Sequence, residues 1–376
     1  MKKIDIKLPG RNYSILIGRN LLTRVGALIK ALRLGTKALV VTHKKVGALY
    51  LASVQNSLKS VGFSPCLSYF LPYGDERDKS PSSLTMLWEH MAKVGLERTS
   101  FVIALGGGVV GDVAGFAAAT YMRGISVMQV PTTLLAQVDA SIGGKTAIDL
   151  SSAKNIVGAF YQPRMVIADV DVLAKLASAR LEELRNGFAE VIKYAVIKDA
   201  PLFGLLEKKL EKFFQKIEKE KRLGKEELAF LETVVWRSAK VKAKVVEEDE
   251  RETKGKRLIL NYGHTFAHAF EAVSGYKMSH GQAVAFGMVC AARLACLRGK
   301  FGREAEARQN RLIKAAGLLT KIQGPHRADA WIRAMMLDKK KKDGKLRFIL
   351  PEAIGKVKVV NDVSLSEIHR VLQDWN

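Results

Sequence analysis

A carboxylate and a group of histidines are the residues best equipped for chemistry in this sequence. Glu190 lies in Gly187-Phe-Ala-Glu-Val-Ile-Lys193, an otherwise apolar helical stretch. A carboxylate there must be paired or hold a metal ion, because burying it alone is costly. His264 and His268 are four positions apart in Asn261-Tyr-Gly-His-Thr-Phe-Ala-His-Ala-Phe-Glu271, and on a helix that spacing puts both rings on one face. His280 opens the next helical stretch at Ser279-His280-Gly281, and the remaining histidines of the seven, His43, His90, His326 and His369, are scattered. Singly, each of these rings reads as a hydrogen-bonded structural residue; the cluster changes that. One glutamate and two histidines form a zinc-type ligand set that leaves a coordination position open for substrate and keeps the ion strongly Lewis acidic. Spacing alone leaves the third ligand open between His268 and His280.

A second feature is the run Gly106-Gly-Gly-Val-Val-Gly-Asp112, which follows the apolar stretch Phe101–Leu105 and precedes a small-residue helical stretch. Glycines at a strand-to-helix turn let backbone approach a pyrophosphate, and the helix N-terminus supplies N–H donors and positive dipole. The same glycines also suit a tight, closely packed turn. A standard dinucleotide fold wants an acidic residue about 20 positions later for the ribose. Pro131 stands there, and the next acidic residue is Asp139. The run is therefore a phosphate-binding turn in a non-standard arrangement.

The elements that must position these groups fall into two kinds. Ala38–Thr42, Cys66–Leu71, Phe101–Leu105 and Ser126–Val130 read as strands, and helical stretches separate them, which implies a parallel sheet. From about Asp171 strand signals fade and helical stretches dominate: Arg180–Lys198, Leu202–Arg222, Glu226–Glu247, Leu258–Val273, Gly281–Arg298 and Arg303–Ala316. The expectation is an α/β chain with a Rossmann-like parallel-sheet domain over 1–175 and a mainly α-helical domain over 176–376. A basic turn, Lys339–Lys345, precedes a candidate late strand, Leu346–Leu350.

Composition narrows the classes. No apolar run approaches the roughly 20 residues of a membrane span, and the start reads as a strand rather than a signal peptide, so a cytosolic protein is expected. Cys66, Cys290 and Cys296 are an odd count with no C-x-x-C, which argues against a disulfide framework. The net charge of +24, from 61 basic and 37 acidic residues, suits steering of an anionic substrate. An aromatic content of 7% without a recognition module argues against nucleic acid.

Taken together, Ala104–Asp112, Gln129-Val-Pro-Thr-Thr-Leu-Leu-Ala-Gln-Val-Asp139, Gly143-Gly-Lys-Thr146, Lys154-Asn155, Gly158-Ala-Phe-Tyr-Gln-Pro163, Phe188–Lys193, Asn261-Tyr-Gly-His-Thr265 and His280-Gly281 resemble the 3-dehydroquinate synthase family, from about residue 15 to residue 360. The resemblance implies an NAD-binding α/β domain followed by a helical metal domain. It implies a phosphate-eliminating cyclisation of 3-deoxy-D-arabino-heptulosonate 7-phosphate, with NAD+ used transiently and Zn2+, or Co2+ in its place, as the metal. It assigns the ligands to Glu190, His264 and His280. Phosphate-binding positions correspond to Lys154, Asn155, His268 and Arg123, the last reaching across a homodimer. Substrate contacts correspond to Lys145, Asp139, Lys193, Lys242, Arg257, Asn261 and one of Lys339 and Lys340. NAD contacts correspond to Gly108, Val109, Val110, Gly111, Asp112, Thr132, Thr133, Lys145 and Lys154, with Glu76 and Lys79 from the preceding loop. So many cations suit a substrate carrying a carboxylate and a phosphate. The chain departs from the family pattern in Tyr73–Lys79, which has one extra residue, at His43, where an Asp or Asn is usual, and at Lys175, where a Thr is usual.

Overall fold

The computed structural model describes residues 1–275, 277–319, 328–341 and 346–373, and their side chains except those of 338–341. The chain divides into two compact units, Met1–Leu176 with Gly224–Arg251, and Ala177–Leu223 with Glu252–Asn376.

In the first unit the chain runs β1 (Lys2–Ile6), β2 (Tyr13–Gly18), α1 (Val25–Lys30), β3 (Ala38–His43), α2 (Lys44–Lys59), β4 (Cys66–Leu71), α3 (Pro81–Lys93), β5 (Phe101–Gly106), α4 (Gly108–Thr120), β6 (Ser126–Pro131), β7 (Lys145–Leu150), β8 (Ala153–Phe160), β9 (Met165–Asp169) and α5 (Val172–Ala179). Seven of the strands form one sheet in the order β1-β2-β9-β6-β5-β3-β4, parallel except for the β1–β2 pair. Its central strands are continuous apolar runs because both faces are covered: every residue of β5 and β9 is buried. Helix α4 lies close on the sheet because its inner positions are small. A Cβ at Gly111 would stand 2.8 Å from Gln129 Oε1 on β6, and one at Gly115 would stand 2.5 Å from Thr146 Cγ2 on β7, outside that sheet.

Two features differ from the expected architecture. Residues 145–160 fold as an antiparallel hairpin, β7–β8, separate from the main sheet. The chain also returns to the first unit. After α6 (Leu181–Lys198) and α7 (Ala200–Glu220) in the second unit, α8 (Lys225–Glu248) packs on β1, β2 and the turn 136–140, although the sequence placed this stretch in the helical domain. Its apolar stripe, Leu228, Leu231, Val234, Val235, Val241 and Val245, is buried there.

The second unit continues with α9 (His264–Val273), α10 (His280–Leu297), α11 (Arg303–Ala315), α12 (Ala328–Lys341), the antiparallel pair β10 (Phe348–Ala353) and β11 (Lys356–Val360), and α13 (Leu365–Gln373). The late strand thus begins at Phe348 and has a partner that the sequence did not suggest. Residues 256–261 form a tighter 3-10 turn, so the expected helix from Leu258 starts only at His264. Helix α10 packs against α6, α9, α11, α13 and β10. At 18 residues it is long and apolar enough to cross a membrane, which the sequence reading did not anticipate; 72% of it is buried inside the unit, the pattern of a core helix.

Candidate metal centre and phosphate-binding turn

In the second unit three elements deliver one ligand atom each. Glu190 lies mid-way along α6, His264 is the first residue of α9 and His280 the first of α10. One potential ligand atom from each falls within 4.8 Å of the others. His264 Nε2 and His280 Nε2 each stand 3.7 Å from Glu190 Oε1, too far to hydrogen-bond and suited to donors that share a cation. His268, one turn beyond His264, is exposed and stacks edge-on against it at 5.8 Å between centroids, outside the group.

The outer nitrogens fix both rings. His264 Nδ1 faces the Tyr262 carbonyl oxygen at 3.1 Å, and His280 Nδ1 faces Glu271 Oε1 at 3.2 Å. Both partners only accept, so each Nδ1 carries a proton and turns an Nε2 lone pair toward Glu190 in the neutral ring. Glu271 and Tyr262 were missed in the sequence. The one available signal was that Glu271 lies two turns from His264 on the same face of α9.

The electrostatics show what the group lacks. Glu190 is fully buried, yet neither carboxylate oxygen has a hydrogen-bond partner. Lys193, one turn along α6 and 2% exposed, is ion-paired with Oε2. Burial pushes the Glu190 carboxyl up, but Lys193 and then the two histidines outweigh it and hold it below the usual carboxylate range. Burial and the Lys193 ammonium push His264 down. Burial lowers His280 as well, but the carboxylates of Glu190 and Glu271 raise it to about 9. A buried carboxylate whose Oε1 has no hydrogen-bond partner, facing two imidazole Nε2 atoms that present lone pairs in the neutral rings, fits a divalent cation with nitrogen and oxygen ligands. Nearby in the fold, Arg257 is buried with its Nε 3.4 Å from Glu252, and Asn261 ends the 256–261 turn, exposed. The side chains of Lys339 and Lys340 lie outside the described residues.

In the first unit the glycine turn leads into α4. Packing demands glycine at Gly106, where a Cβ would meet Val110 Cγ2 at 2.5 Å and Cβ at 2.6 Å, and Gly111 lies against the amide end of Gln129. At Gly107 and Gly108 a Cβ would meet neighbours only at 3.3 Å, tight but tolerable. Their bareness leaves the first backbone N–H groups of α4 open to an anion. Thr132 and Thr133 follow β6 beside this turn: Thr132 N–H donates to the Gly106 carbonyl oxygen at 2.9 Å, and Thr133 Oγ1 accepts from Ala136 N–H at 3.2 Å. Val109 is half-buried and the Val110 side chain is buried, so any ligand contact at Val110 falls to its backbone.

The loop with the extra residue is built from within. Asp78, fully buried, accepts from the backbone N–H of Tyr73 at 3.2 Å and of Gly74 at 2.6 Å. Gly74 sits over the His43 ring at a φ of 74°, where a Cβ would stand 2.7 Å from Nδ1. The loop delivers Lys79, 5% exposed, whose Nζ donates to Asp112 Oδ2 at 2.7 Å and to Asn155 Oδ1. Asp149 joins the network: its N–H donates to the Lys79 carbonyl oxygen at 2.8 Å, and its carboxylate accepts from Asn155 N–H at 2.6 Å. Burial lowers the Lys79 pKa, but Asp112 and Glu76 raise it more, so the ammonium stays charged. Lys154 is exposed and 3.7 Å from Glu76, and Lys145 is exposed at the start of β7. Arg123 is exposed in a turn where it and Met122 both take left-handed φ values, 66° and 49°.

Lys242 on α8 is ion-paired with Asp139 and also donates to the Asp139 carbonyl oxygen at 2.9 Å, with side-chain exposures of 9% and 21%. Lys242→Met leaves Asp139 without this cation. With a discount for the open side of the pair, the expected loss is about 2–3 kcal/mol, read as a lower urea midpoint. An unchanged midpoint would show that the pair is structurally idle.

Comparison with known proteins places this architecture. Residues 69–183 match the model of the 3-dehydroquinate synthase N-terminal domain, and residues 187–341 match that of the C-terminal domain. The chain belongs to the 3-dehydroquinate synthase family. The 3-dehydroquinate synthase of Nostoc punctiforme is 45% identical over 98% of this chain and 98% of its own. Among solved structures, the 2-epi-5-epi-valiolone synthase ValA from Streptomyces hygroscopicus subsp. jinggangensis 5008, with NAD+ and Zn2+ bound, is 27% identical with a TM-score of 0.84 over 96% of each chain. A 2-deoxy-scyllo-inosose synthase complexed with carbaglucose-6-phosphate, NAD+ and Co2+ is 25% identical with a TM-score of 0.80 over 100% of both chains. Beside these relatives of the family, the Glu190–His264–His280 group and the glycine turn are the features of this chain whose chemistry matches a metal ion and a dinucleotide.

Proposed function

We propose that this chain converts 3-deoxy-D-arabino-heptulosonate 7-phosphate into 3-dehydroquinate and phosphate, using NAD+ and Zn2+, with Co2+ able to replace Zn2+. The observation that carries the metal requirement is the buried Glu190 carboxylate, whose Oε1 has no hydrogen-bond partner and faces two oriented Nε2 atoms. Glu190, His264 and His280 hold the ion, which when bound supplies Lewis acidity to substrate hydroxyls. The α4 N-terminus, Thr132, Thr133 and the Glu76–Lys79 loop would hold NAD+, which when bound would supply reversible hydride transfer with no net reduction of the cofactor.

The chain's own side chains orient and neutralise the substrate. Lys154, Asn155, His268 and Arg123 take its phosphate. Lys193, Arg257, Asn261, Lys145 and the Asp139–Lys242 pair take its carboxylate and hydroxyls, fixing a reactive conformer. Arg123 is exposed within its own chain, which supports its working from a second copy in a homodimer. The proposed setting is the cytoplasm.

A second reading, another sugar phosphate cyclase, is favoured by the valiolone and inosose synthases among the structural neighbours. The test is to incubate the full chain with the heptulosonate phosphate, NAD+ and Zn2+ and to measure phosphate and 3-dehydroquinate. Expected are both products in equal amounts, no net NADH, loss of turnover after chelation and recovery with Zn2+ or Co2+. Phosphate release from a different sugar phosphate alone would establish the second reading. Stoichiometric NADH would make the enzyme a dehydrogenase.

A further inference from the structure

Tyr262 and Gln309 are both fully buried and carry polar groups into the apolar interior of the second unit. Tyr262 Oη donates to Gln309 Oε1 at 2.7 Å and stands 3.3 Å from the Met288 carbonyl oxygen, to which Gln309 Nε2 donates at 3.1 Å. A buried hydroxyl and amide are retained only where their hydrogen bonds are made, so this pair is a specified contact rather than filler. It joins α11, which carries Gln309, to α10, which carries Met288, and to the turn before α9.

That turn leads directly into the metal centre. Gly263 takes a φ of 79°, and a Cβ there would stand 2.8 Å from Met288 N and 3.0 Å from the Val284 carbonyl oxygen. From the other side, a Cβ at Gly287 would stand 2.1 Å from the Gly263 carbonyl oxygen. The turn is thus laid closely against α10, its backbone on the backbone of Val284, Gly287 and Met288, with Met288 Cγ also 2.8 Å from where a Gly263 Cβ would stand. The Tyr262 carbonyl oxygen then faces His264 Nδ1 at 3.1 Å. A tilt of the Tyr262 peptide would rotate the imidazole and swing Nε2 away from Glu190.

We infer that Gln309 is a positioning residue for the metal centre, acting through Tyr262 on His264. Gln309 clamps the Tyr262 ring to Met288, the clamped residue fixes its own carbonyl, and that carbonyl fixes the His264 tautomer and ring plane. The inference rests on the metal reading of Glu190, His264 and His280.

The test compares wild type with Gln309→Met, Tyr262→Phe, the double variant and His264→Ala. Each is the full chain stripped of metal. Zn2+ affinity is read by chelator competition, ligand geometry by the visible absorption of bound Co2+, and stability by the melting temperature of the metal-free protein. Each single variant is expected to lose about 10–100-fold in Zn2+ affinity, with an altered Co2+ spectrum. The double variant is expected to lose no more than the worse single one, because both break the same link. A lower melting temperature with Zn2+ affinity within twofold of wild type would make Gln309 a packing residue only and overturn the inference. So would fully additive losses. Wild type binding Zn2+ no better than His264→Ala would overturn the metal reading itself, and that outcome is distinct from the others. Tyr262→Phe removes a single oxygen and keeps the ring, so it carries the test if Gln309→Met does not fold.

Discussion

Glu190→Gln is expected to abolish metal retention and turnover together while the chain still folds, less stably. The substitution keeps the shape of the side chain and removes its charge. The amide nitrogen would face two Nε2 lone pairs, to which it can donate, and this competes with any ion for the same atoms. Turnover should fall by about 10³-fold or more, since the ion carries several kcal/mol of charge stabilisation. The stability loss has a separate cause. Lys193, 2% exposed, loses the carboxylate it is ion-paired with, and breaking a buried pair costs about 3–5 kcal/mol. The two effects are separable in Glu190→Gln/Lys193→Met, which should regain part of the urea midpoint and none of the metal. The measurements are metal content after gel filtration, phosphate release and denaturant midpoint. Metal content equal to wild type in Glu190→Gln would sink the ligand assignment.

The features that the sequence displays, and those it hides, divide along physical lines. The strands at 38–43, 101–106 and 126–131 were legible because parallel strands buried on both faces leave continuous apolar runs, and the half-buried edge strand at 66–71 was legible from its own short apolar run. The hairpin at 145–160 was not, because β8 turns Ile156, Val157 and Phe160 outward, at 60%, 37% and 41% exposure, and so shows no alternation between core and solvent. The return of 224–251 to the first unit was hidden too. An amphipathic stripe states that a helix has a buried face and is silent on which neighbour buries it. At the metal centre the residue types were legible, but the spacing of His264, His268 and His280 could not choose a third ligand. That choice depends on where α10 begins in space. The groups behind the ligands, Glu271, Tyr262 and Gln309, carry no local motif. They are defined by contacts over 9 to 47 positions, which only the folded chain brings together.

The other large effect is expected at Lys79. Asp112 stands in the second turn of α4, close behind the N–H groups that would receive a pyrophosphate, and an uncompensated carboxylate there offsets the positive end of the helix dipole and repels an anionic ligand. Lys79 supplies the compensation at 2.7 Å, and through Asn155 it also ties down the tip of the β7–β8 hairpin. Lys79→Met should lower stability by about 3 kcal/mol and NAD+ affinity by at least about tenfold, the latter read by fluorescence titration. The pH dependence has a definite sign. Burial already pushes the Asp112 carboxyl up, and Lys79 opposes that push. Without Lys79 the folded-state pKa rises further above the unfolded value, so the folded chain binds the proton more tightly. Stability of the variant should then fall as pH rises through that folded pKa and recover on acidification, unlike a defect of packing. Lys79→Met/Asp112→Asn removes both charges. It should recover most of the lost stability near neutral pH and much of the NAD+ affinity. A double variant as weak as Lys79→Met would show that Lys79 acts by tethering the hairpin through Asn155, and that its charge is incidental.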